Sequence, residues 1–146
     1  MEIHTIGFTQ KTARKFFTIL KEAGIRTLID VRLNNTSQLA AYTKKDDLEF
    51  FLAEILGARY LHMPEAAPTK ELMDAYKKKE IAWEEYRSRF HDLMRSRSLE
   101  GKFDKEFFRE KAVLLCSEHN ATHCHRRLVA EYLRDKWEEP VEIVHL

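Results

Sequence analysis

Cys116, Glu118, Cys124, His125 and Arg126 lie within a stretch of eleven residues that contains both cysteines of the chain. A thiol, a carboxylate, an imidazole and a guanidinium are groups from which nucleophiles, proton carriers and anion clamps are built. A cysteine turns nucleophilic when a helix N-terminus or a neighbouring Arg or His stabilises its thiolate, bringing its pKa from about 8.5 into the range of about 3.5–7.5. Cys116, followed by a loop and a stretch rich in His and Arg, has that layout and is the candidate nucleophile. Asp30 and Glu118 are the candidate acid–base or orienting groups. Arg32 and Arg126 are the cations that would neutralise a bound anion. Thr5, Gly7, His62, Cys124 and His125 complete the set of ligand-binding candidates.

The same residues also have a plain structural reading. Free cysteine is among the most buried residue types, so Cys116 can simply finish a strand and Cys124 can pack in a first helical turn. Asp30, Arg32, Glu118 and Arg126 can equally form a structural ion-pair network, and Arg127 with Glu131 has the spacing of a surface pair on a helix. Cys116, His119, His123 and Cys124 would together make a zinc set of two cysteines and two histidines. Adjacent residues such as His123 and Cys124 project well apart around a helix, however, and the paired ligand spacings typical of zinc sites are missing. No metal is assigned on this reading and no cofactor is called for, zinc being the lesser alternative.

The surrounding elements must bring these groups together. The apolar run Ala112 to Leu115 suits a buried strand, and the apolar spacing from Leu128 to Leu133 suits one face of a helix, so the cluster sits on a strand–loop–helix. In an open α/β sheet, ligands bind outside the carboxyl ends of the strands, where the following helix points its free N–H groups. An anion is therefore expected against the first turn near residues 123–126, with Arg126 beside it and Arg32 opposite.

Upstream, Glu2 to Ile6 alternates as a strand that ends at Gly7. Thr9 is the expected cap of a helix whose apolar residues are Ala13, Phe16, Phe17 and Leu20, with Gly24 at its end. Residues 26–31 read as a second strand. Asn34 to Asp46 reads as a long polar loop suited to a binding loop or lid. Asp46 and Glu49 suggest a capping box for a helix with the apolar stripe Leu48, Phe51, Leu52 and Ile55, closed by Gly57. Residues 59–62 make a third strand, 111–116 a fourth and 141–145 a closing one. Between the third and fourth, residues 69–110 read as a charged helical excursion, with one stripe of Trp83, Tyr86, Phe90 and Leu93 and another of Phe103, Phe107 and Phe108. Alternation of strands and helices predicts an α/β, three-layer, Rossmann-like domain with a mainly parallel five-stranded sheet, residues 1–146 forming a single domain.

Thr5-Ile6-Gly7, Leu28-Ile29-Asp30-Val31-Arg32, Tyr60-Leu61-His62 with Pro64, and Cys116-Ser117-Glu118 followed by Cys124-His125-Arg126 resemble the family catalogued as domain of unknown function 488. The resemblance runs nearly end to end. It implies a small α/β domain whose motif residues meet at one site, and it names residues without naming a reaction. Phe8-Thr9 stands where the family's first motif often shows a histidine and a serine. The arginine-bearing loop signature of cysteine phosphatases and sulfurtransferases is absent, Thr122 occupying the arginine's place.

Composition narrows the partners. With 25 basic against 24 acidic residues and a formal net charge of +1, no global field draws the chain to nucleic acid or a membrane, and nucleic-acid binding at physiological salt is expected to be weak. Apolar runs reach only four or five residues, against the roughly 20 that cross a bilayer. With no signal-peptide pattern at Met1 to His4 and free thiols, the expectation is a cytoplasmic protein. The leading expectation is an enzyme or sensor that binds a small anionic, phosphate-bearing, nucleotide-like ligand. The rivals are a nucleic-acid-binding domain using Lys44, Lys45 and Lys77 to Lys79, and a partner-binding module using the aromatic stripes.

Overall fold

The computed structural model describes residues 1–36 and 40–146. Of the expected binding loop, Ser37 and Gln38 lie outside the described residues. Five strands, β1 (Glu2–Gly7), β2 (Thr27–Asp30), β3 (Arg59–His62), β4 (Ala112–Cys116) and β5 (Glu142–His145), form one sheet in the order β3-β2-β4-β1-β5. Every pairing is parallel. Parallel neighbours need long crossovers, and here these are α1 (Ala13–Glu22), α2 (Lys45–Phe51), the group α3 (Lys70–Lys77), α4 (Trp83–Ser96) and α5 (Lys105–Arg109), and finally α6 (His125–Lys136).

Side-chain alternation on the central strand explains why both faces are covered. On β4, Val113 and Leu115 enter one apolar cluster with Phe16, Phe17 and Leu20 of α1 and Leu48 of α2. Ala112 and Leu114 enter a second cluster with Phe90 and Met94 of α4, Phe108 of α5, and Val129 and Leu133 of α6. The period of two along the strand thus feeds two helical layers from one apolar run. Steps from β1 to β2 to β3 move toward one edge with helices on the first face, and steps from β3 to β4 to β5 move back with helices on the second. Reversing direction and face together keeps the crossovers of one hand. The reversal places β4 between β1 and β2, whose following helices lie on the opposite face from α6. Adjacent strands whose connections part to opposite faces leave a crevice at their carboxyl ends.

Two helix starts differ from the sequence expectation. Thr12, not Thr9, caps α1, its hydroxyl accepting from the backbone N–H of Lys15 at 3.1 Å. Thr9 is instead tied to the loop after β4: its N–H donates to the Ser117 carbonyl at 3.0 Å, and its hydroxyl donates to the same oxygen. Nor does Asp46 cap α2, which begins at Lys45 after an extended Lys44 with no side-chain cap. The Lys45 N–H is anchored to the Asn35 carbonyl at 2.9 Å, and Asp46 and Asp47 fall in the first turn, where they favour the positive end of the helix dipole. After Phe51 the helix widens into a looser turn over Leu52–Leu56. The wider turn breaks the 3.6-residue phase, so Leu52 is buried while Ile55 is 45% exposed. Gly57 closes it at φ 61°, as its position suggested. No helix among the described residues is long and apolar enough to cross a membrane.

Candidate functional site

The site begins with a close approach at the end of β1. A Cβ on Gly7 would lie 1.6 Å from the carbonyl oxygen of Glu118 and 2.9 Å from a terminal nitrogen of Arg126. Glycine is therefore required for the loop after β4 to cross over β1. Arg126, fully buried on the first turn of α6, holds that loop from below by donating to the carbonyls of Glu118 and His119. Its Nε donates to the Thr5 hydroxyl at 3.3 Å, and that hydroxyl meets Nδ1 of His145 at 2.6 Å. The Thr5 hydroxyl thus accepts from Arg126, and the direction of its bond to His145 follows the imidazole tautomer. Burial, with the positive charges of Arg126 and Arg127, lowers the His145 pKa and favours the neutral imidazole.

A second charged group lies at the end of β2. Asp30, with no exposed surface, accepts from Nε and a terminal nitrogen of Arg32 at 2.8 and 2.7 Å, from the Arg32 N–H at 3.1 Å and from the Tyr60 hydroxyl at 2.6 Å. Both carboxylate oxygens are thus engaged in the two-pronged geometry that suits Arg. Arg32 also donates to the Thr43 carbonyl at 2.7 Å and lies over the Phe8 ring at 5.3 Å. His62 meets the Arg32 carbonyl at 2.8 Å through Nε2. Burial alone would lower the Arg32 pKa, but Asp30 outweighs it and the net direction is up.

The third group is the thiol cluster. Cys116 ends β4, Cys124 is the extended residue just before α6, and His125 is the first residue of that helix. Nδ1 of His125 is 3.5 Å from the Cys116 sulfur, and Nε2 is 2.7 Å from the Val31 carbonyl. A carbonyl only accepts, so Nε2 carries a proton and Nδ1 faces the sulfur. Phe90 sets its edge against the imidazole, with centroids 6.0 Å apart at 85°. A hydrogen bond from the Cys124 thiol pulls the Cys116 pKa well below the ordinary cysteine range against the opposing effect of burial, and His125 adds to it. Burial, and then the Cys116 charge, drives Cys124 well above that range. Burial works to lower His125, but the Cys116 charge prevails and raises it. The three shifts share one origin, negative charge at the Cys116 sulfur favoured by its two neighbours. The sulfurs and Nδ1 of His125 lie within 4.8 Å of one another, which makes these three residues a possible metal-binding group. His119 and His123 are not in it: His119 meets the Thr9 carbonyl at 3.1 Å and His123 packs on Trp83 with centroids 4.7 Å apart.

This cluster lines a pocket of about 830 Å³ at the carboxyl edge of the sheet, together with Arg32, Glu118, Phe8 and His123. Its far wall is the end of α3 and the turn into α4, with Tyr76, Lys77, Lys79, Ile81 and Tyr86. Lys79 sits in that turn at φ 60°. Arg126 lies outside this lining and borders a smaller recess of about 410 Å³ with His119, Arg127 and His145. The candidates from the sequence therefore occupy three neighbouring places: Cys116, Glu118, Cys124, His125 and Arg32 around the pocket, Thr5, Gly7 and Arg126 beneath the loop, and Asp30 and His62 behind Arg32.

A family model described as Domain of unknown function DUF488 matches residues 12–133, most of the chain. The chain belongs to the DUF488 family. No curated protein and no solved structure matches it. Within this DUF488 fold, sequence reasoning did not place Tyr76 and Tyr86 on a pocket wall, because Tyr86 was read as part of an apolar helical stripe that served the core or a partner. It also missed Tyr60 as a partner of Asp30 and the Val31 carbonyl as a partner of His125. Tyr60 carried a signal in the register, since it and His62 share a face of the strand beside β2.

Proposed function

We propose that the protein is a small-molecule enzyme or sensor that takes a planar, acid-bearing ligand, of nucleotide-like or aromatic-acid type, into the pocket over Cys116. The carrying observation is that Cys116, Cys124 and His125, whose donor atoms converge and whose two thiol pKa values are pushed in opposite directions, form part of the wall of the pocket of about 830 Å³. Phe8, Tyr76 and Tyr86 offer aromatic surfaces to a flat body, while Lys77 and Lys79 on the rim offer charge to an acidic group. Arg32 is closed on Asp30, so it shapes the pocket and lends a partly neutralised positive edge. In this reading Arg126 and Asp30 are positioning residues. Arg126 holds the loop that carries Glu118, and Asp30 holds Arg32.

Cys116 is the reactive group, with His125 as the proton partner oriented by a third group, the Val31 carbonyl. The test is alkylation of chelator-treated protein by iodoacetamide, mapped by mass spectrometry, with and without a panel of nucleotides and aromatic acids. Cys116 should be modified well ahead of Cys124, and a pocket ligand should both protect it and raise the melting temperature. Equal inertness of the two cysteines, with no ligand of either class shifting the melting temperature, would remove the reading.

A further inference from the structure

We propose that Cys116, Cys124 and His125 bind one zinc ion and leave a fourth coordination position open to the pocket. This rests on the reading above only for the pocket as the place where a ligand arrives; a bound ion would take up the Cys116 sulfur and Nδ1 of His125, so the reactive thiol belongs to the metal-free protein.

One pair of ligand atoms already stands at the span a tetrahedral ion requires, and the third lies within reach. Zinc bonds of about 2.3 Å to sulfur and about 2.0 Å to nitrogen, held at a tetrahedral angle, separate the two donors by about 3.5 Å. The Cys116 sulfur and Nδ1 of His125 are 3.5 Å apart, and all three donor atoms lie within 4.8 Å of one another. The imidazole is also set up as a ligand. Its Nε2 donates to the Val31 carbonyl at 2.7 Å, which leaves the lone pair on Nδ1, the atom that faces the sulfurs. Metal-binding histidines nearly always tie their other nitrogen to such an acceptor, which fixes tautomer and ring plane.

Adjacent residues rarely converge on one ion from within a helix, and here they need not. Cys124 is extended at φ −126°, ψ 141° and His125 is the first helical residue, so the backbone changes direction between them and brings both donors to one point. The donor set selects the metal class: two thiolates and an imidazole suit zinc and exclude hard cations such as magnesium and calcium. A divalent ion also cancels the charge of two buried thiolates, a charge the interior would otherwise oppose. Three protein ligands with a pocket alongside is the pattern of a working zinc site, whereas structural zinc carries four. All three ligands line the pocket, so the fourth position takes water or an oxygen or sulfur donor of the bound ligand.

The test uses the whole chain, stripped with a chelator and shown to be folded by circular dichroism. Zinc should bind at one per chain in competition with a chromophoric chelator. Cobalt(II) should give the intense visible bands of a tetrahedral site and the near-ultraviolet band of thiolate-to-cobalt charge transfer. Cys116→Ser, Cys124→Ser and His125→Ala should each lose tight zinc binding, while His119→Ala and His123→Ala should retain it. The cobalt spectrum of the unaltered protein carries the result even if a ligand variant fails to fold. A folded wild-type protein that binds no zinc, a cobalt spectrum without thiolate bands, or undiminished binding in both serine variants would overturn the site. Cysteine reactivity and ligand shifts are measured on the metal-free protein, so failure of the zinc site and failure of the pocket reading give separate results.

Discussion

At the scale of single residues, Gly7 and Asp30 show two ways in which a site restricts a position. At Gly7 a methyl group has nowhere to go, because the atom it would meet is the Glu118 backbone carbonyl that Arg126 also holds. Gly7→Ala should therefore cost at least the upper end of the roughly 1–3 kcal/mol typical of overpacking, and it should displace the loop after β4. Chemical denaturation, with proteolysis at the loop, checks both effects. Asp30 and Arg32 form a pair whose side chains are 0% and 6% exposed. Removing one partner of a buried pair leaves an uncompensated charge at a cost of about 3–5 kcal/mol. Arg32→Met alone should show that loss, and the double change Asp30→Asn with Arg32→Met should recover much of it. A double variant no more stable than the single one would mean that the Tyr60 and Thr43 contacts, rather than the charge, hold this corner.

At the scale of elements, the helix that most needs its ends placed is α1, since the turn before it is tied to the site loop through Thr9 and Ser117. Thr12 ends that turn and begins the helix. Thr12→Ala should cost about 1 kcal/mol by loss of the cap, with no effect on Cys116 reactivity. Thr9→Val should leave the helix intact but loosen the loop, so its effect should appear in cysteine reactivity. Denaturation midpoints and alkylation rates, measured on both variants, separate the two roles. The excursion between β3 and β4 does more than span the distance: α3 and α4 present Tyr76 and Tyr86, with rings 4.8 Å apart, along the wall facing the cysteines.

At the scale of the whole molecule, two histidines held neutral contribute stability that is lost on mild acidification. Burial first, with Lys111 against the opposing Glu2 and Glu142, lowers the pKa of His4, and burial with Arg126 and Arg127 lowers that of His145. A group whose folded pKa lies below its ordinary value of about 6.5 binds more protons when unfolded, so its contribution is complete above that pH and is lost as pH falls below it. Between pH 8 and pH 5.5 the urea midpoint of the His4→Gln, His145→Gln double variant should fall less, or rise more, than that of the unaltered protein, while His125, whose pKa is raised, contributes the opposite sign in both. Carboxylates held low by their partners, such as Glu100 beside Tyr132, follow the same sign but act at lower pH. An identical pH response of the two proteins across that interval would contradict neutral histidines on β1 and β5.

The order of strands and helices was legible in the chain because it depends on local period. Apolar alternation marks β1, and the apolar run Ala112 to Leu115, bounded by polar residues, marks β4 whatever lies across from it. The cysteine and histidine cluster was legible as a density of reactive residues around 116–126. Which histidine joins the cysteines was not, because that depends on a single change of backbone direction between Cys124 and His125 and on the Val31 carbonyl just past β2, 94 residues away. The same limit applies to Arg126 and Arg32. Their charge is evident from the sequence, but whether a guanidinium meets a ligand or a backbone carbonyl depends on which loops cross above it. The pocket wall belongs to tertiary structure alone. Tyr86 has its place in an apolar helical stripe, and such a stripe records only that one face is covered, not whether protein or ligand covers it.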